Sequence, residues 1–87
     1  MYYYVYILHC QKDNSLYVGY TADLKTRIQY HRAGKTRTTR IRGPIQLIYA
    51  ESYINETDAR QRERFLKSGR GREVFKKQIQ NTLAGIV

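Results

Sequence analysis

The chain is poor in the features that mark several common classes of small protein. It has one cysteine, Cys10, among 87 residues. A lone thiol closes no internal disulfide, so the stapled secreted scaffold is excluded. Cys10 itself reads as a small buried hydrophobe at a strand end. No apolar run approaches the roughly 18 residues of a membrane span, so no membrane partner is expected. The opening MYYYVYILHC carries neither a charged leader nor a cleavage signal, and a cytoplasmic protein is the expectation. Internal repeats, low-complexity tracts and linkers are absent too. Acidic residues are scarce, with 7 Asp and Glu against 16 Lys and Arg, and none lies between Asp23 and Glu51. Tryptophan is missing altogether, while tyrosine occurs 9 times.

What is present describes one small globular domain spanning 1–87. Hydrophobic residues make up 41% and charged residues 26%, close to globular averages, which argues against wholesale disorder. A chain of this size buries only about 60–65% of its unfolded surface, so its core has to be compact. The net charge of +9 suits a polyanionic partner, nucleic acid before an acidic membrane surface. The acid-free window holds Lys25, Arg27, Arg32, Lys35, Arg37, Arg40 and Arg42. A second basic group, running from Arg60 to Lys77, is diluted by Glu63 and Glu73.

Tyr2–Leu8 is aromatic and β-branched and predicts a strand. Asp13-Asn14 marks a turn, and Leu16–Tyr20 completes a hairpin. Thr21 is expected to cap a helix starting at Ala22, with Asp23 in its first turn and Gly34 as its stop. Lys35–Gly43 reads as a basic loop ended by Pro44, and Ile45–Tyr53 as a third strand. Asn55 with Asp58 resembles a capping box opening a second helix that Gly69 ends. Val74, Phe75, Ile79 and Leu83 predict a third helix over Arg72–Leu83. The expected fold is α+β in the order ββαβαα, a small three-stranded antiparallel sheet flanked by helices.

Strand parity sorts the hairpin side chains. With Val5, Ile7, Leu16 and Val18 on one core face, Tyr6 and Tyr17 emerge together on the other. Gly19 shares that second face and leaves room for close approach. Arg27 and His31, four residues apart beside Leu24 and Ile28, stand at the border of a helix's buried stripe. Glu63 shares a stripe with Ala59 and Leu66. Each observation has an ordinary alternative: packed tyrosines, a hydrogen-bonded histidine, a surface Glu63–Lys67 pair. His9 reads as structural.

Taken together, these residues resemble the GIY-YIG nuclease domain, specifically its small single-domain members, over about residues 2–77. Tyr4-Val5-Tyr6 and Tyr17-Val18-Gly19 stand at the two family triplets. YVGYTADLKTRIQYH places Arg27 and His31 after the second, and ARQRERFLKSGRG carries Glu63. Tyr4 replaces the first triplet's glycine, and valine replaces isoleucine in both. Asn81, the one asparagine after Glu63, is not aligned with the late family asparagine.

The resemblance implies metal-dependent hydrolysis of phosphodiester bonds in nucleic acid, DNA favoured over RNA. Tyr17 is then the general base, Tyr6 orients the water or assists the proton transfer, and His31 bonds within the tyrosine network. Arg27 binds the scissile phosphate, and Glu63 holds one Mg²⁺ or Mn²⁺. An unperturbed phenol, with a pKa near 10, is ionised in about one molecule in a thousand at neutral pH. Neighbouring cations are therefore expected to favour the phenolate. Lys35, Arg37, Arg40 and Arg42, with Thr36, Thr38 and Thr39 between them, are expected on the nucleic-acid backbone. A protein partner is expected to supply specificity. The alternative is a non-catalytic basic nucleic-acid-binding module of the same fold.

Overall fold

The computed structural model describes residues 1–35 and 43–86. The first two strands, β1 (Tyr3–Cys10) and β2 (Ser15–Thr21), form the expected hairpin, with Ile7 opposite Val18 and Tyr6 opposite Gly19. Asn14 takes a positive φ of 58° at the turn, a conformation that asparagine tolerates better than most residues. The third strand, β3 (Ile45–Tyr53), pairs antiparallel with the other side of β1, giving the order β2-β1-β3. A register shift between Ile7 and Leu8 lets β3 gain one residue, so Ile7 faces Tyr49 while Leu8 faces Leu47. β1 is central, and its residues from Val5 onward are all buried.

Helices cover both faces. The helix α1 (Leu24–Arg32) lies against the face of Tyr6 and Leu8, burying Ile28 with Leu24, Tyr17 and Leu47 around them. On the opposite face α2 (Glu56–Lys67), α3 (Gly69–Gln78) and α4 (Gln80–Ile86) complete the fold. Val5, Ile7 and Val18 there pack with Ala59, Leu66, Phe75 and Ile79. Parity therefore divides the hairpin as its sequence implies.

Helix boundaries differ from expectation in three places. Thr21 belongs to β2, and Asp23 caps α1: its Oδ1 accepts from Thr26 N at 3.1 Å, and its Oδ2 accepts from the Thr26 hydroxyl at 2.9 Å. A carboxylate reaches two donors at once, which the Thr21 hydroxyl does not; that hydroxyl instead accepts from Asp23 N. Gly69 does not terminate a helix. Ser68 closes α2 and also caps α3, accepting from Gly71 N at 3.0 Å. A Cβ at Gly71 would run into the Phe65 carbonyl, so only glycine lets α3 turn so tightly off the end of α2. The third predicted helix is thus two, α3 and α4, separated at Ile79. Asn55 caps α2 as expected, accepting from Asp58 N at 3.1 Å. Among the described residues no helix is long and apolar enough to cross a membrane.

One polar cluster was not anticipated. Glu51, facing the α2 side of β3, accepts the hydroxyls of Tyr49 at 2.6 Å and Tyr53 at 2.8 Å. Arg62 on α2 donates to both its oxygens, at 3.0 and 3.1 Å, and Gln78 on α3 links Arg62 to Tyr49. The bonds from Arg62 and the tyrosines outweigh burial and hold the Glu51 carboxyl below its ordinary range, while burial and Glu51 push Tyr53 up to about 12. This network fastens α2 and α3 to the edge strand.

Candidate active site

Side chains of β1, β2 and α1 meet on the α1 side of the hairpin. Tyr6 projects from the centre of β1 and is fully buried. Its hydroxyl lies 2.9 Å from His31 Nε2, and His31 is only 2% exposed. Tyr17 on β2 is half-buried; its ring lies 6.4 Å from that of Tyr6 and 5.3 Å, edge-on, from that of His31. The three rings form one cluster, as strand parity and the helical spacing of His31 require.

Gly19 explains how the Tyr6 ring fits. It sits directly across the hairpin from Tyr6, and a Cβ placed on it would overlap Tyr6 Cζ and the hydroxyl and come within 2.8 Å of Cε2. No L side chain occupies that position while Tyr6 holds its bond to His31. Space for close approach was expected at Gly19, and a protein ring is what fills it.

Charge at the site is arranged unevenly. Arg27 does not share the burial of His31, as its position beside the buried stripe had implied. It is exposed, because the guanidinium reaches water while only its field extends inward. That field lowers the pKa of Tyr6 and of His31 alike. Burial is the larger effect on both. It keeps His31 below its ordinary range, so the imidazole is neutral at pH 7 and can accept from the Tyr6 hydroxyl. Burial, together with the Tyr17 phenol, raises the Tyr6 phenol well above its usual value despite Arg27. Arg27 thus favours the Tyr6 phenolate, as expected of a neighbouring cation, but burial outweighs it there.

Glu63 is felt at the same site: its negative charge raises Tyr6 further. Its side chain is 18% exposed, beside buried Ala59 and Leu66 on α2, and it accepts from Lys67 Nζ at 3.0 Å. Two of the arginines near it in sequence are committed elsewhere, Arg60 to Glu56 and Arg62 to Glu51. No group of three or more His, Cys, Asp or Glu stands together among the described residues. A single carboxylate still suits a hard cation that keeps most of its waters and takes further oxygens from a phosphate.

The rest of the expected interface is partly visible. Lys35 is exposed, its Nζ 5.3 Å from the ring centroid of Tyr30, which is itself 48% exposed. Arg37, Arg40 and Arg42, with Thr36, Thr38 and Thr39, lie outside the described residues. Tyr20 is engaged in packing, its hydroxyl donating to Glu56 at 2.8 Å and the Arg60 guanidinium lying 4.2 Å above its ring. Asn81 lies on α4 with its side chain exposed. Sequence reasoning missed Glu51 as the anchor of the helix that carries Glu63. The period-two run Tyr49, Glu51, Tyr53 was the available signal.

A three-stranded sheet with paired hairpin tyrosines, a helix-borne arginine and histidine, and a glutamate on a later helix defines a class of nuclease domain. A family model described as the GIY-YIG catalytic domain matches residues 2–78, and the chain belongs to the GIY-YIG family, among its small single-domain members. It is similar to a UPF0213 protein of Oceanobacillus iheyensis, 48% identical over 65 residues, 74% of either chain. It is likewise similar to the UPF0213 protein YazA of Bacillus subtilis, 44% identical over 63 residues, 71% of this chain and 63% of that one. The solution NMR structure of a UPF0213 protein from Bacillus halodurans superposes with a TM-score of 0.58 at 40% identity. That match covers 90% of this chain and 85% of the other. Membership places the chain in a nuclease superfamily and implies nucleic-acid binding.

Proposed function

We propose that the protein is a metal-dependent endonuclease hydrolysing phosphodiester bonds, with DNA the favoured substrate. One observation carries the reading: a half-buried Tyr17 stands against a buried Tyr6–His31 hydrogen bond that only glycine at position 19 permits. An ordinary packing role asks neither for a buried hydroxyl–imidazole pair nor for an invading ring.

The roles follow from burial. Tyr6, its phenol pushed upward, keeps its proton across the neutral range and serves as a fixed hydrogen-bonding post, not a base. His31, neutral, holds that post in place. Tyr17 is the more accessible phenol and takes the proton of the attacking water. Arg27, exposed on α1, binds the scissile phosphate and offsets negative charge gathering on it. Glu63 would hold one Mg²⁺ or Mn²⁺, which supplies Lewis-acid stabilisation of the phosphate and leaving oxygen. Lys67 has to release Glu63 for that, a small demand, since an exposed i,i+4 pair is worth about 0.3–0.5 kcal/mol. Lys35, together with Arg37, Arg40 and Arg42 outside the described residues, adds positive charge for the substrate's phosphate backbone.

The test is cleavage of labelled DNA and RNA substrates of several shapes, with Mg²⁺, Mn²⁺ or EDTA. Wild type is run beside Glu63→Gln and Tyr17→Phe, each variant checked for folding by circular dichroism. Metal-dependent cleavage lost in both variants is the expected result. Salt-sensitive binding with no cleavage by any form would leave the binding module instead.

A further inference from the structure

On the face of the sheet opposite the tyrosine cluster, a cleft of about 540 Å³ opens between the hairpin turn and the C-terminal helices. Its walls are Asn14, Ser15 and Leu16 on one side and Arg72, Lys76 and Leu83 on the other, with His9 at its base. Arg72 and Lys76 are four residues apart on α3 and so stack on one helical face. Neither forms an ion pair among the described residues, whereas Arg60, Arg62 and Lys67 on α2 all do. The acidic residue nearest in sequence on the hairpin, Asp13, accepts from Ser15 N and does not line the cleft.

His9 lies at the cleft as well. It is 5% exposed, and its Nε2 lies 2.9 Å from Asn14 Oδ1. The amide oxygen only accepts, so Nε2 carries the proton and Nδ1 presents a lone pair. Nδ1 is the one buried side-chain polar atom without a hydrogen-bond partner among the described residues. That lone pair makes no bond to a phosphodiester, which has no proton to give, so the phosphate contacts fall to Arg72 and Lys76, and the His9 ring serves as a buried reporter at the cleft.

We infer that this cleft is a second phosphate-binding site, taking a backbone phosphate of the nucleic acid between Arg72 and Lys76. The inference rests on the nucleic-acid reading above and extends it to a surface that reading leaves unused. The topology supports it, because β2 is an edge strand. Its consecutive residues Leu16 and Tyr17 face opposite sides of the sheet, one lining the cleft and the other in the ring cluster. A strand passing over that edge meets both surfaces.

The experiment compares two double variants of equal charge on the same helix. Arg72→Gln/Lys76→Gln removes the cleft's cations. Arg70→Gln/Lys77→Gln removes two that line a different depression on α3. Duplex and single-stranded DNA binding is measured from 50 to 300 mM salt, and inorganic phosphate is titrated while the His9 ring resonances are followed by NMR. Removing one phosphate-binding cation flattens the log–log salt slope by about 0.7–0.9, or about five- to eightfold in affinity at 0.1 M salt. The cleft variant should show at least that weakening and no phosphate-induced His9 shift, and the control variant clearly less. Equal weakening in both variants would overturn the site while leaving the nuclease reading intact, the basic charge then acting diffusely. Phosphate shifts at His9 with DNA binding unchanged in the cleft variant would overturn it as a nucleic-acid site. Wild type that binds no nucleic acid would sink both readings.

Discussion

Gly19→Ala is the sharpest perturbation the hairpin offers. The backbone there accepts alanine: its φ lies outside the positive range, and the change itself favours folding by about 0.4–1 kcal/mol through the unfolded chain. The cost is steric. The new methyl falls on the terminal half of the Tyr6 ring, which has nowhere to go within a fully buried layer. Forcing a methyl into a packed core costs about 1–3 kcal/mol. Displacing the ring also breaks the 2.9 Å hydrogen bond with His31, and a buried polar group left unmatched costs about 1–3 kcal/mol more. The net loss is about 1–6 kcal/mol, against about 4–13 kcal/mol for a domain of this length. Urea denaturation followed by circular dichroism measures it. The decisive comparison repeats Gly19→Ala in a Tyr6→Leu background, where the side chain stops short of the colliding atoms. There the substitution should cost less than about 0.5 kcal/mol, a coupling of about 1–5 kcal/mol in the double-mutant cycle. An equal cost in both backgrounds would refute the idea that Gly19 is present to admit the Tyr6 ring.

The remaining predictions concern charge. Arg62→Met leaves Glu51, 16% exposed, without its cation and should destabilise the fold by about 2–3 kcal/mol, below the 3–5 of a fully buried pair. Adding Glu51→Gln should recover part of that loss, measured by the same denaturation. Lys67→Ala should cost less than about 0.5 kcal/mol and shift the Mn²⁺ activation midpoint of cleavage downward, because Glu63 loses a competing partner. His31 has a depressed pKa when folded, so the unfolded chain binds the extra proton. Its contribution to stability is complete above about pH 6.5 and is lost as the pH falls below that value. Thermal midpoints of wild type and His31→Asn between pH 5 and 8 should therefore converge toward the acid end, and parallel curves would contradict the assigned cause.

The sheet and its two faces were readable because alternation in a hairpin is a short-range rule. Once Val5, Ile7 and Val18 are taken as core, Tyr6, Tyr17 and Gly19 have no other face to occupy. Helix ends were less readable, since several residues compete for each cap. Asp23 displaces Thr21 by offering two acceptor oxygens, and Ser68 ends one helix while starting the next, a double role that Gly69 conceals in the sequence. The Glu51–Arg62 anchor joins residues 11 apart on different elements, and no local pattern announces which arginine of α2 turns toward β3. Burial of individual groups was the least legible. Arg27 and His31 look equivalent on a helical wheel, yet one is exposed and the other enclosed, a difference set by how far α1 settles onto the sheet.

That difference governs the proposed chemistry. A cationic surrounding was expected to make the tyrosines better bases, yet a positive charge in water acts weakly on a phenol sealed in the core, where desolvation dominates. Tyr6 is on the losing side of that balance: Arg27 pulls its pKa down, and burial, Tyr17 and Glu63 together push it up. A phenol that does not ionise is a reliable hydrogen-bond donor, and it needs an acceptor that stays neutral. The depressed pKa of His31 supplies one. The two shifts are therefore one device, produced by the same burial, and each would lose its use without the other. In the proposed mechanism the base is therefore Tyr17, the more accessible member of the cluster. On this argument Tyr6→Phe should lower turnover but leave its pH dependence in place, whereas Tyr17→Phe should abolish turnover. A pH profile that moved with Tyr6→Phe would make Tyr6 the base and reverse the assignment.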